Sequence, residues 1–222
     1  MLAPEMRVFV LVVVLAGPAL LLWLSTREPS AAEASRIAAV LEDPAPDDEP
    51  IAYAHCASCH LHDGSGRPDG SIPRLNGQRR SVLEHKLQRM RAGTIHLPVM
   101  EPFARTLEPH EISEIASYLS SMVEPTGAPN GSNDTDRDRA AALYAEHCAS
   151  CHGKNAEGSD ALFASRLCGQ YAGYLERRLD EAATGARGDA DAMMQAVVAA
   201  VPGGDLGAIV AWLSLGQGCA TP

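Results

Sequence analysis

Cys56-Ala57-Ser58-Cys59-His60 returns later in the chain as Cys148-Ala149-Ser150-Cys151-His152. No other feature limits the possible folds so strongly. C-x-x-C-H is the attachment pattern of a c-type haem. Two thiols about one helical turn apart add to two vinyl groups, and the next residue sets an imidazole under the iron. The C-x-x-C half alone also suits a redox dithiol or half of a zinc site. Zinc needs four ligands on one ion, whereas each histidine here follows its own cysteine pair directly. The doubled motif points to two covalently bound c-type haems, with zinc or disulfide chemistry as the alternative. The first would use Cys56, Cys59 and His60, and the second Cys148, Cys151 and His152.

Composition agrees with this. The chain has 222 residues but only 5% aromatics, thin for two cores unless large cofactors supply apolar area. Six cysteines beside two haem motifs imply an oxidising, extracytoplasmic compartment. The formal charge is -10, and residues 26–50 carry two basic and seven acidic side chains. Much of the acidity therefore falls in connecting segments, and nothing suggests a nucleic-acid partner.

Val8 to Leu24 is an almost unbroken apolar run, entered from Arg7 and left at Ser25-Thr26-Arg27. Its length lies between a signal-peptide core and a membrane span. Trp23 suits an interfacial anchor, and no small-x-small cleavage site follows at once. Residues 1–25 are read as an uncleaved anchor, with a cleaved signal segment as the alternative. Residues 26–50, rich in Ala, Pro, Asp and Glu, read as a tether.

An internal repeat follows. Shifting the chain by 92 places the first motif on the second, and Arg74-Leu75-Asn76-Gly77-Gln78 on Arg166-Leu167-Cys168-Gly169-Gln170. Leu83 and Leu87 fall on Leu175 and Leu179, one helix face apart. After a two-residue insertion Met100 falls on Met194, and Ile115, Tyr118 and Leu119 fall on Ile209, Trp212 and Leu213. Each copy predicts a short helix into the cysteine motif, a Gly-rich loop, a middle helix over 79–91 or 171–183, a Met-bearing loop and a last helix over 109–122 or 204–215. The domains are set at 51–124 and 139–222, joined by a Pro/Gly-rich linker, 125–138.

C-x-x-C-H, then R-L-x-G-Q, then a leucine-paired helix, then Met before a last helix with an aromatic resembles class I cytochrome c domains. Two fused copies resemble the bacterial diheme cytochrome c4 group. The resemblance covers about residues 51–215. It implies an all-α fold of two tandem class I domains, each built around a covalent haem, with electron transfer as the activity. It also implies His60 and His152 as proximal ligands, Met100 and Met194 as distal ligands, and a carbonyl at Pro73 that holds the first imidazole. Ser165 stands at that place in the second copy. The aromatic ahead of the cysteines matches Tyr144, whereas Tyr53 is one place out of register behind Pro50.

Several residues also fit plainer roles. Met90 and Met122 read as core fillers, and Met193 aligns with Val99. His96 is the rival sixth ligand in the first copy. His62, His85 and His110 read as solvated. Arg79, Arg80, Lys86, Arg89 and Arg91 form a basic cluster on the first middle helix, either a solvated face or a dock for an acidic partner or haem propionates. Cys168 and Cys219 remain after haem attachment, have no counterparts in the first copy, and are expected to form a disulfide. Two buried free thiols are the alternative. The expected function is a membrane-tethered diheme cytochrome on the periplasmic side of the bacterial inner membrane. It would pass single electrons between a respiratory donor and an oxidase or other acceptor. A subunit of a larger oxidase or dehydrogenase complex, or a diheme peroxidase, is the alternative.

Overall fold

Pro50 fixes an extended backbone just before the first motif, with φ -61 and ψ 136, so no long helix can run through it. A computed structural model describes residues 45–122, 134–186, 192–202, 205–216 and 219. The expected anchor, most of the tether and residues 125–133 of the linker lie outside the described residues.

The described residues form nine α-helices and no strand. In the first copy a 3-10 turn, Ile51–Tyr53, leads into α1 (Ala54–His60). Then come α2 (Arg80–Arg91), α3 (Glu101–Thr106) and α4 (Pro109–Ser121). The second copy has α5 (Asp134–His147), α6 (Ala149–His152), α7 (Ala172–Thr184), α8 (Ala192–Ala200) and α9 (Asp205–Ser214). Among the described residues no single helix is long and apolar enough to cross a membrane.

Helix ends follow local chemistry. Pro109 opens α4, and Glu108 and Glu111 form a reciprocal capping box there. Gly185 closes α7 in the left-handed region, φ 66. Helix α5 begins inside the span assigned to the linker, at Asp134. The segment expected to be a Met-bearing loop is partly helical in both copies. Met100 stands just before α3, and Met194 lies within α8.

Each core is built on the repeat's own register. Leu83, Ile115, Tyr118 and Leu119 are buried in the first copy. Leu175, Ile209, Trp212 and Leu213, their counterparts, are buried in the second. Each such side chain contributes about 1.5–3 kcal/mol when removed from water. Helix α2 packs on α4, and α9 on α5 and α7. The backbone repeats as well: the Gly77 N–H donates to Leu119 O, and the Gly169 N–H to Leu213 O, both at 3.0 Å.

Tyr53 and Tyr144 do the same work despite their one-place offset. Tyr53 donates to Leu61 O at 2.8 Å, and Tyr144 to Gly153 O at 2.7 Å. Their rings pack on Tyr118 and Trp212, at 5.3 and 5.0 Å between centroids. The 3-10 turn, tighter than an α-helix, absorbs the missing residue.

The tether ends earlier than its composition suggests. Residues 45–50 are folded onto the first copy: the Glu49 N–H donates to Pro46 O at 3.0 Å, and its carboxylate meets His62 Nδ1 at 2.5 Å. The Glu49 side chain is only 4% exposed. His62 is therefore a paired, half-buried group rather than a solvated one.

Candidate functional site

Each motif ends a short helix at its histidine: Cys56 and Cys59 lie on α1, whereas Cys148 stands just before α6, which carries Cys151. In the second copy the pair straddles a break at Cys148, φ -117, between α5 and α6. Loop bonds then fold the chain back under the imidazole: the Gly66 N–H donates to His60 O at 3.0 Å, and the Gly158 N–H to His152 O at 2.8 Å.

That return places one carbonyl against each ring. His60 Nδ1–H donates to Pro73 O at 3.2 Å, and His152 Nδ1–H to Ser165 O at 2.8 Å. A carbonyl can only accept, so the proton sits on Nδ1 and Nε2 keeps its lone pair. Burial lowers both imidazole pKa values from the ordinary histidine range, partly offset by these hydrogen bonds. Burial thus favours the neutral ring that a metal ligand must be. Serine serves as well as proline because the bond uses only the main chain.

The first thiol of each pair lacks the lowered pKa of a redox cysteine. Burial pushes the Cys56 thiol up to about 11, helped by Glu49 and Cys59. Burial, with Cys151, does the same to Cys148. Redox C-x-x-C cysteines have lowered values instead. Neither pair is closed as a disulfide, and the described residues contain no group of three or more His, Cys, Asp or Glu able to hold a metal ion. Half-covered Cys56, Leu75 and Leu87 border the first core, and Cys148, Leu167 and Leu179 the second. The buried Arg74 Nε and Asn76 Oδ1 take no protein partner. Two thiols, a neutral imidazole with a free Nε2, an apolar border and polar atoms beside it fit haem.

Comparison with known proteins agrees. A family model described as cytochrome c matches residues 138–214. The thiosulfate dehydrogenase electron acceptor of Stutzerimonas stutzeri (strain A1501) is 32% identical over 146 residues, covering 62% of this chain and 67% of that protein. The chain belongs to the cytochrome c family. Cytochrome c4 of Azotobacter vinelandii is 27% identical over 176 residues, covering 72% of this chain and 83% of that protein. The crystal structure of reduced recombinant cytochrome c4 from Pseudomonas stutzeri superposes with a TM-score of 0.63. It is 25% identical and covers 73% of this chain and 94% of that one. This cytochrome is thus an electron-transfer protein with two covalently bound c-type haems, as its doubled motif indicated.

The expected distal residues occupy comparable settings. Met100 is half-buried against Met90, Ile95 and Ala104, and Met194 is half-buried on α8. Met193 and Val99, the pair aligned beside them, are each 73% exposed. His96 is turned to solvent, 68% exposed, and paired with Glu101 at 3.2 Å.

The basic cluster of α2 is largely engaged within the cytochrome. Arg79 reaches Glu157 O at 2.8 Å and Asp160 at 2.7 Å, and Lys86 reaches Ser165 Oγ at 2.7 Å. Arg80 pairs with Glu84 at 2.9 Å. Arg79 and Lys86 thus join the two copies. His85, expected to be solvated, stacks on Phe163 of the second copy at 4.3 Å. The joint is nearly two-fold: Tyr171, the counterpart of Arg79, donates to Ser65 O at 2.8 Å, and Ser65 is the counterpart of Glu157. The chains meet so closely at Gly70 and Gly173 that a Cβ on Gly70 would lie 2.5 Å from Tyr174 N, and one on Gly173 2.7 Å from Asp69 O.

The second copy also holds the expected Cys168–Cys219 disulfide, with Cα atoms 5.4 Å apart. Gln78 and Gln170 had served only to mark the repeat. Both reach across the joint, and only their shared place at the end of R-L-x-G-Q hinted at a shared role.

Proposed function

We propose that this cytochrome passes single electrons between a respiratory donor and an oxidase or other acceptor, with His60 and Met100 as axial ligands in the first copy and His152 and Met194 in the second. Haem supplies a one-electron iron couple, and the axial ligands tune it. The chain's own part is to fix each imidazole through a backbone carbonyl and keep both rings neutral. A thioether on each distal side favours ferrous iron and leaves no open position for peroxide. The reading therefore sets peroxidase chemistry aside. The carrying observation is the match between the copies: each proximal ring bonds an equivalent carbonyl, and each methionine holds the same register before the last helix.

The relative named as a thiosulfate dehydrogenase electron acceptor supports an oxidoreductase as one class of donor. The apolar run Val8 to Leu24 supports a tether to the periplasmic side of the inner membrane.

The oxidised protein should show a weak near-infrared sulfur-to-iron band worth two haems, and Met100→Ala should remove half of it. A band unchanged in that variant would assign the first distal position to another side chain. For the tether, the mass of the mature protein should include residues 1–25. A shorter, soluble form would overturn it.

A further inference from the structure

The peptide group that receives each proximal histidine's proton is gripped a second time, from the other copy. The Pro73 carbonyl accepts from His60, and the N–H of that same peptide, on Arg74, donates to Gln170 Oε1 at 3.0 Å. The second copy mirrors it. The Ser165 carbonyl accepts from His152, and the Arg166 N–H donates to Gln78 Oε1 at 2.7 Å. Each glutamine also donates through Nε2 to the same arginine's carbonyl, Gln170 to Arg74 O at 3.0 Å and Gln78 to Arg166 O at 3.1 Å. Each side-chain amide therefore docks on the other copy like one rung of an antiparallel ladder. Gln170 is 7% exposed, so solvent does not compete strongly for it.

Hydrogen bonds in a chain polarise one another. A peptide that gives up its N–H becomes a better acceptor at its C=O. A better acceptor beneath the imidazole raises the basicity of that ligand, and a more basic ligand favours ferric over ferrous iron. We propose that Gln170 and Gln78 are crossed positioning residues. Gln170, in the second copy, tunes the first haem through the Pro73–Arg74 peptide, and Gln78, in the first, tunes the second through the Ser165–Arg166 peptide. This rests on His60 and His152 being the proximal ligands. Glutamines that merely glue the copies together would show no crossed pattern.

The test is a redox titration of the full haem-loaded protein, with each wave assigned by the hyperfine-shifted NMR signals of its own haem. Gln170→Leu should shift the ferric-to-ferrous ratio of the first haem roughly two- to threefold toward ferrous at fixed ambient potential. That is a rise of about 18–28 mV at 59 mV per tenfold for one electron. The second haem should not move. Gln78→Leu should do the reverse. Gln170→Glu, a milder change that keeps an acceptor for the Arg74 N–H, should lower the first haem's potential, and the His60 ring N–H signal should follow the same order. A shift in the variant's own copy, equal shifts in both haems, or none with spectra intact would overturn the proposal. Native protein lacking imidazole-ligated low-spin signals would instead remove the ligand reading, before any variant is compared.

Discussion

Leu61 ends α1 at φ 63, ψ 161, where Gly153 ends the matching helix at φ 82, ψ 158. Three residues later the choice is reversed. Gly64 has φ 67 in the first copy, and Ala156 has φ 55 in the second. A Cβ at Gly64 would lie 2.7 Å from Leu119 Cδ2, whereas Ala156 is accommodated with 0% exposure. The two copies thus follow one path, and each forces a different side-chain-bearing residue through a region that favours glycine. The path is fixed by what it must do. It brings a carbonyl under the imidazole, and that requirement overrides local preference at whichever position the sequence lacks glycine.

The largest expected difference between the copies comes from the disulfide. It closes a separation of 51 residues in the second copy, while Asn76 occupies the equivalent place in the first. Replacing Cys168 and Cys219 by serine should destabilise the second copy by up to about 4 kcal/mol on the chain-entropy model. Haem-resolved thermal unfolding should show the first copy nearly unmoved. Equal losses in both copies would mean that the two unfold as one. Next come the tyrosines. Tyr53→Phe and Tyr144→Phe each remove the donor to a buried-side carbonyl, and each should cost about 1–3 kcal/mol. Unequal losses would show that the 3-10 turn only imitates the helical register of Tyr144. The smallest effect has the opposite sign. Leu61→Gly should stabilise the first copy by about 1 kcal/mol, since a strained non-glycine costs about 1–3 kcal/mol and glycine returns about 0.5–1 in chain entropy. Denaturant midpoints with unchanged slopes would check it.

The sequence disclosed what repeats and what carries rare chemistry. The haem motifs, the core pairs such as Leu119 and Leu213, the middle and last helix spans and the leftover cysteine pair all follow from the repeat. Contacts between the copies did not. Arg79 and Lys86 have the pattern of a solvated face, because a helix pattern reports only which side is apolar and not which polar groups meet a neighbouring domain. Gln78 and Gln170 looked like register marks for the same reason. His62 looked solvated because its partner, Glu49, lies in a stretch whose proline and acid content resembles a tether. Register pairs Met100 with Met194, yet their helical surroundings were hidden by nearby proline in one copy and by the two-residue insertion in the other.

The joint between the copies is addressed mostly to main-chain atoms. Gln78, Gln170, Arg79, Tyr171 and Arg177 all donate to carbonyls of the opposite copy. The residues that supply those carbonyls are free to vary so long as the chain keeps its path. Half-molecules from different chains of this kind should therefore be interchangeable when the reaching side chains, the side-chain pairs Arg79–Asp160, Lys86–Ser165 and His85–Phe163, and the glycine contact at Gly70 and Gly173 are retained. A library of hybrid two-haem carriers, each pairing the first half of one chain with the second half of another, becomes a practical object to build.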